Sequence, residues 1–190
     1  MSGARRSRVT GGGTAETKPK RRGLGLHDRA LRLLAARPRS CREIRDRLRR
    51  AGFEAEEIAE EIGRLEAVGL LDDERFAREF AEHLVANRGV GRRALVSSLM
   101  AKGIDRETIE TVAEETVGDE ESRAEELARS RLGRLSGLDP PAAYRRLMGL
   151  LARRGYDAAV CRRVASKVLE VSDQRVRPVS LRSASGGRTL

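Results

Sequence analysis

Aromatic side chains are scarce: the 190-residue chain has no Trp, two Tyr and three Phe. Proteins that hold single-stranded nucleic acid usually stack its bases on aromatic faces. Phe53, Phe76, Phe80, Tyr144 and Tyr156 instead all fall at core-like positions in the apolar pattern, which argues against such a platform. Cysteine is just as sparse. Cys41 and Cys161 have no His or Cys at ligand spacing, and the only histidines are His27 and His83. No zinc set is expected, and both thiols are read as small buried apolar residues. No apolar run approaches the roughly 20 residues of a membrane span, and no hydrophobic signal core follows the basic N-terminus, so the expected location is the cytoplasm. The parts of an enzyme are missing too. The run TGGGT lacks the Lys and the strand of a phosphate-binding loop, and no nucleophile stands with a base. No catalytic residue, metal or cofactor is expected.

What is present is charge and aliphatic periodicity, with 36% charged and 39% apolar residues. The net charge of +10 suggests a nucleic-acid footprint until it is divided along the chain. Residues 1–25 carry seven Arg or Lys against one acid, and residues 172–190 carry four against one. The 28 basic and 27 acidic residues between them nearly cancel. Both ends are rich in Gly, Ser, Thr and Arg, with too little apolar area to offset the entropy of ordering, and read as disordered basic arms suited equally to general solubility and to weak phosphate binding.

Between the arms the apolar residues recur at helical spacing. Ile58, Ile62 and Leu65 share one face, as do Phe76, Phe80 and Leu84, and Leu95 with Leu99 and Leu147 with Leu151 form i, i+4 pairs. No segment alternates as a strand would. Ser40 followed by Glu43 reads as a capping box, Asp139 before Pro140 as a helix start, and Gly69 and Gly118 as helix ends. In the stretch GLLDDERFAREF, Asp72 or Asp73 is expected to cap a new helix, with the neighbouring acids favouring its positive end rather than forming a site.

Three segments share one pattern: LRRAGF from Leu48, LMAKGI from Leu99 and LARRGY from Leu151. Their glycines, Gly52, Gly103 and Gly155, are 51 and 52 residues apart, and each precedes a new helix start at Glu54, Asp105 or Asp157. With a further helix ahead of each pair, from His27, Asp73 and Asp119, the expected fold is all-α: three tandem three-helix repeats in an elongated modular array. The expected spans are a basic arm over 1–25, repeats over 26–71, 72–118 and 119–171, and a basic tail over 172–190.

The stretch GLLDDERFAREFAEHLVANRGVGRRALVSSLMAKGID, Gly69 to Asp105, resembles the central signature of the RecX regulators of the bacterial recombinase RecA. It has the acidic helix start, the Phe-Ala-x-x-Phe helix, the Gly-x-x-Arg step and the Lys-Gly-Ile turn. Arg93 directly after Gly91-Arg92 departs from that step by one position. RRLMGLLARRGYDAAVCRRV is similar to the family's C-terminal repeat, and the likeness spans about residues 27 to 171. The resemblance implies a protein that binds the groove of RecA filaments on DNA and dampens strand exchange, ATP hydrolysis and repressor cleavage in the SOS response. It implies no enzyme, and the chain is expected to act as a monomer, touching DNA weakly through its arms.

The candidate contacts with filament or DNA are basic. The middle helix of the first copy, taken as Arg39 to Ala51, carries six arginines, of which Arg42, Arg49 and Arg50 point away from Ile44 and Leu48. Arg42 with Asp46, Glu43 with Arg47 and Asp46 with Arg50 are also i, i+4 pairs worth only about 0.2–0.5 kcal/mol each. The middle copy supplies Arg92, Arg93 and Lys102. In the third copy Arg145, Arg146, Arg153 and Arg154 stand on a helix without acids, which favours a binding face. The helix after each turn is acidic in the first two copies. A helix-turn-helix transcription regulator is the alternative, but its recognition helix, Glu54 to Ala67, would carry six glutamates and one arginine into a phosphate-lined groove.

Overall fold

The computed structural model describes residues 25–176, and side chains as far as Glu170. Nine helices and no strand are found among these residues: α1 (Leu26–Ala36), α2 (Cys41–Arg50), α3 (Ala55–Ala67), α4 (Asp73–Arg88), α5 (Arg92–Lys102), α6 (Arg106–Val117), α7 (Glu120–Arg129), α8 (Pro140–Arg153) and α9 (Ala158–Val176). The N-terminal arm and the end of the tail lie outside the described residues. The backbone of α9 runs on to Val176, past the expected start of the tail.

Each triplet closes its own core. Ile44, Leu48, Ile58, Ile62 and Leu65 pack in the first module, Phe76, Leu84, Leu95, Leu99, Ile109 and Val112 in the second, and Leu147, Leu151, Tyr156, Val160 and Val164 in the third. These are the residues that the helical spacing puts on one face, and each is worth about 1.5–3 kcal/mol when fully buried. That outweighs any single surface ion pair, so the apolar stripe decides the fold. Phe76 and Phe80 stack with ring centroids 5.7 Å apart, and both cysteines are buried. The fold is all-α, three tandem three-helix modules in sequence.

Helix starts carry the expected chemistry with one exchange. Asp72, Asp105 and Asp119 each accept the N–H of the third residue of their helix, at 2.8, 2.9 and 3.0 Å. Ser40 accepts from the Glu43 N–H at 3.2 Å, but Glu43 does not complete a capping box: its carboxylate is held by Arg37 and by Lys102, each at 2.9 Å. Two cations outbid a backbone N–H. The reciprocal box forms between Glu54 and Glu57 instead. Asp139 precedes α8 without a side-chain cap, and prolines fill the first two positions of that helix.

Glycines 52, 103 and 155 all have positive φ, at 89°, 81° and 80°, so each middle helix ends in the same left-handed turn. Two of these turns also join modules. In the first joint the Ser40 hydroxyl, at the start of α2, donates to the Lys102 carbonyl at the end of α5 at 2.7 Å. In the second, the N–H groups of Gly91 and Arg93, at the start of α5, donate to the carbonyls of Arg154 and Gly155 at 2.8 and 3.1 Å. A carboxylate completes each joint: the Asp73 carboxylate accepts the N–H of Cys41, and that of Glu120 accepts the N–H of Arg92, both at 2.8 Å. Asp73 and Glu120 are each the first residue of their module's first helix. The three middle helices therefore run head to tail, the electron-rich end of each later one meeting the electron-poor end of the earlier.

Candidate functional site

The joints consume several of the cations that the sequence offers as contacts. Lys102 pairs with Glu43 and sits 5.3 Å above the Phe80 ring. Burial pushes the Glu43 carboxyl up, but the Arg37 and Lys102 hydrogen bonds prevail and hold it at about 2. Arg92 pairs with Glu110 at 2.7 Å. Arg154 donates to the Arg88 carbonyl across the second joint. All three are half-buried: Lys102 and Arg154 tie neighbouring modules together, and the Arg92 side chain ties α5 to α6 within the second.

On α2, Arg42, Arg49 and Arg50 are exposed. Of the three i, i+4 pairs, Arg42 and Asp46 approach to 4.0 Å, while Glu43 is taken by Arg37 and Lys102. The stem of Arg42 lies against Gly103, leaving no space there for a Cβ. Arg39 corrects the sequence reading. It precedes α2 rather than belonging to it, and it is buried with its Nε donating to the Leu33 carbonyl at 2.8 Å. Arg93 is exposed beside the second joint, where its backbone N–H is engaged.

The third module differs. Arg145, Arg146 and Arg153 are exposed on α8, and none forms an ion pair among the described residues. They line a groove of about 660 Å³ together with Arg131 and Arg134, which the helical pattern did not single out. Those two come from the connection between α7 and α8, longer than its counterparts and containing a short 3-10 turn, Leu132–Arg134. Leu135, Leu138 and Leu150 add aliphatic surface, and no acid lines the groove. The leucines at 132, 135 and 138 with arginines interleaved were the available signal, hidden because the segment is too short to show a helical period.

The helix that would read DNA in the first module is acidic instead. The exposed face of α3 presents Glu56, Glu57 and Glu60, so the helix in the recognition position would meet phosphate with like charge. Glu61 faces inward, with His27 Nδ1 2.7 Å away and Arg64 at 3.5 Å. Burial, aided by a hydrogen bond to Glu66, drives the Cys41 thiol far above its ordinary pKa, so it remains protonated and unreactive. No group of His, Cys, Asp or Glu suited to a metal occurs among the described residues, and no helix there is long and apolar enough to cross a membrane.

Such an array is a tandem helical-repeat protein whose unpaired surface cations, among the described residues, are guanidiniums. Family models described as the first, second and third three-helix domains of RecX match residues 27–65, 72–112 and 119–165. The chain belongs to the RecX family. It is 39% identical over 143 residues to the regulatory protein RecX of Amycolatopsis mediterranei (strain U-32), covering 75% of this chain and 82% of that one. With the regulatory protein RecX of Mycobacterium sp. (strain KMS) the identity is 40% over 158 residues, covering 80% and 84%. The crystal structure of RecX from Lactobacillus salivarius shares the fold at a TM-score of 0.69 and 19% identity, over 76% of this chain and 95% of that one.

Proposed function

We propose that the protein binds RecA filaments assembled on DNA and restrains them, lowering strand exchange, ATP hydrolysis and assisted repressor cleavage, and so modulating recombination, repair and the SOS response. It acts as a regulator without catalysis or cofactor, as a monomer in the cytoplasm. Family membership supports RecA as the partner. The observation that carries the reading on this chain is the third module's exposed Arg145, Arg146 and Arg153, unpaired among the described residues while Arg92, Lys102 and Arg154 serve the fold. Arg42, Arg49, Arg50 and Arg93 extend the surface along the array, and tethered modules gain effective concentration even when each contact is weak. Free DNA is bound weakly, chiefly by the arms, which hold nine of the ten net positive charges.

The test is to titrate the protein and its R145E/R146E/R153E variant against preformed RecA filaments at fixed salt, following DNA-dependent ATP hydrolysis and cosedimentation. Exposed substitutions change stability by no more than about 0.5 kcal/mol, so the variant should melt normally. It should inhibit and cosediment less. Equal behaviour would exclude this face as a major contact, and no inhibition by the unmodified protein would refute the reading itself.

A further inference from the structure

The groove on the third module has two properties that do not follow from binding phosphate. Its floor is aliphatic, with half-buried Leu135, Leu138 and Leu150, and it is concave. Phosphate contacts need only cations on an accessible face, and a nucleic-acid groove that also took bases would offer rings to stack on. No aromatic side chain lines this one. Guanidiniums stand on both walls, Arg131 and Arg134 on the connection and Arg145, Arg146 and Arg153 on α8. None is neutralised by a carboxylate among the described residues.

A peptide fits both properties at once. Aliphatic side chains can settle on the leucine floor while flanking carboxylates accept paired N–H donors from the walls, geometry for which guanidinium is better suited than ammonium. From Arg146 to Arg153 the wall spans seven residues of α8, about 10 Å at 1.5 Å per residue, or two helical turns. We propose that this groove docks an acidic amphipathic segment of a partner protein, one that lays a short leucine-like stripe on Leu135, Leu138 and Leu150 and sets carboxylates against the five arginines. The proposal rests on the reading that the third module's arginine face is the partner-binding one, and adds what the partner inserts there. The chain's own arms do not fit as occupants, because they are basic.

The experiment uses the full chain without RecA. A labelled synthetic peptide with leucines on one helical face and glutamates elsewhere is titrated by fluorescence anisotropy. It is compared with a peptide of the same composition whose leucines are scattered, and with an oligothymidylate of matching charge. The striped peptide should bind about tenfold more tightly than the scattered one. Binding should weaken at least as much in R131E/R134E, whose substitutions lie on an exposed connection, and in L138S, with circular dichroism confirming that each variant keeps its helices. Equal affinity for the two peptides would reduce the effect to net charge and overturn the proposal. So would oligothymidylate binding as tightly as the striped peptide with the same dependence on Arg131 and Arg134, which would make the groove a nucleic-acid site. A concentration-dependent dimer abolished by R131E/R134E would assign the groove to a second copy and overturn it equally. If the striped peptide shows no preference while R145E/R146E/R153E still relieves filament inhibition, the filament reading stands and the peptide chemistry falls.

Discussion

The Asp73 carboxylate accepts the N–H of Cys41, the first residue of α2, across a boundary between modules, and Glu120 does the same for Arg92 one module later. A helix N-terminus left without its acceptor typically loses about 0.5–2 kcal/mol. Asp73→Ala and Glu120→Ala should each destabilise by that order, and their effects should add within about 0.5 kcal/mol because they act at separate joints. Amide hydrogen exchange gives the residue-level reading. Cys41 should lose protection in the first variant and Arg92 in the second. If neither amide responds, the carboxylates do not hold the joints.

The repeated glycine turns should differ in their tolerance of a side chain. At Gly52 an added Cβ meets nothing within 4 Å, so Gly52→Ala costs only the left-handed backbone, about 1–2 kcal/mol. At Gly155 the same atom runs into the backbone N and Cβ of Ala94, which cannot swing away. Gly155→Ala should lose about 1–3 kcal/mol more in urea unfolding than Gly52→Ala, as forced overpacking usually does. Equal losses would mean that the joint opens at no cost.

Acid should weaken the first joint through Glu43. A carboxyl held below its unfolded value adds stability above the unfolded pKa and loses it as pH falls through the folded one. For Glu43 the window runs from its ordinary 4.5 down to about 2. Asp73 has the opposite sign: burial, only partly offset by the Cys41 N–H, raises its pKa, so its share grows as pH drops. Glu43→Gln should be less stable than the parent at neutral pH by about 1 kcal/mol, a figure reduced for solvent screening. The two stability curves should converge near pH 2. Parallel curves across that range would show that Glu43 is not the acid-labile group.

Local rules made the fold legible. The i, i+4 leucines, the aspartates ahead of α4, α6 and α7, and the evenly spaced glycines are features of adjacent residues, and adjacency is what periodicity detects. What escaped was long-range. Asp73 stands 32 residues from Cys41, and nothing in GLLDDERF distinguishes the acid that caps its own helix from the one that caps another. Local spacing pairs Glu43 with Ser40 because both sit in one turn, whereas Lys102, 59 residues on, wins it. The same limit governs the candidate contacts. Helical spacing separates Arg145 and Arg146 from the leucine face, but it could not show that Arg92 and Lys102 pair internally, or that Arg131 and Arg134 fold over to make the opposite wall.

Pro140 and Pro141 occupy the first two positions of α8, the places from which Cys41, Arg92 and Arg93 send their N–H groups into the next module. A joint that repeats is in principle a monomer with two reactive ends, able to add units without limit. Proline has no N–H to give, so the start of α8 cannot form these bonds, much as a chain terminator halts a polymer by removing the group on which the next addition depends. The start of α8 therefore lacks the first- and second-position N–H groups that Cys41, Arg92 and Arg93 give to the two joints.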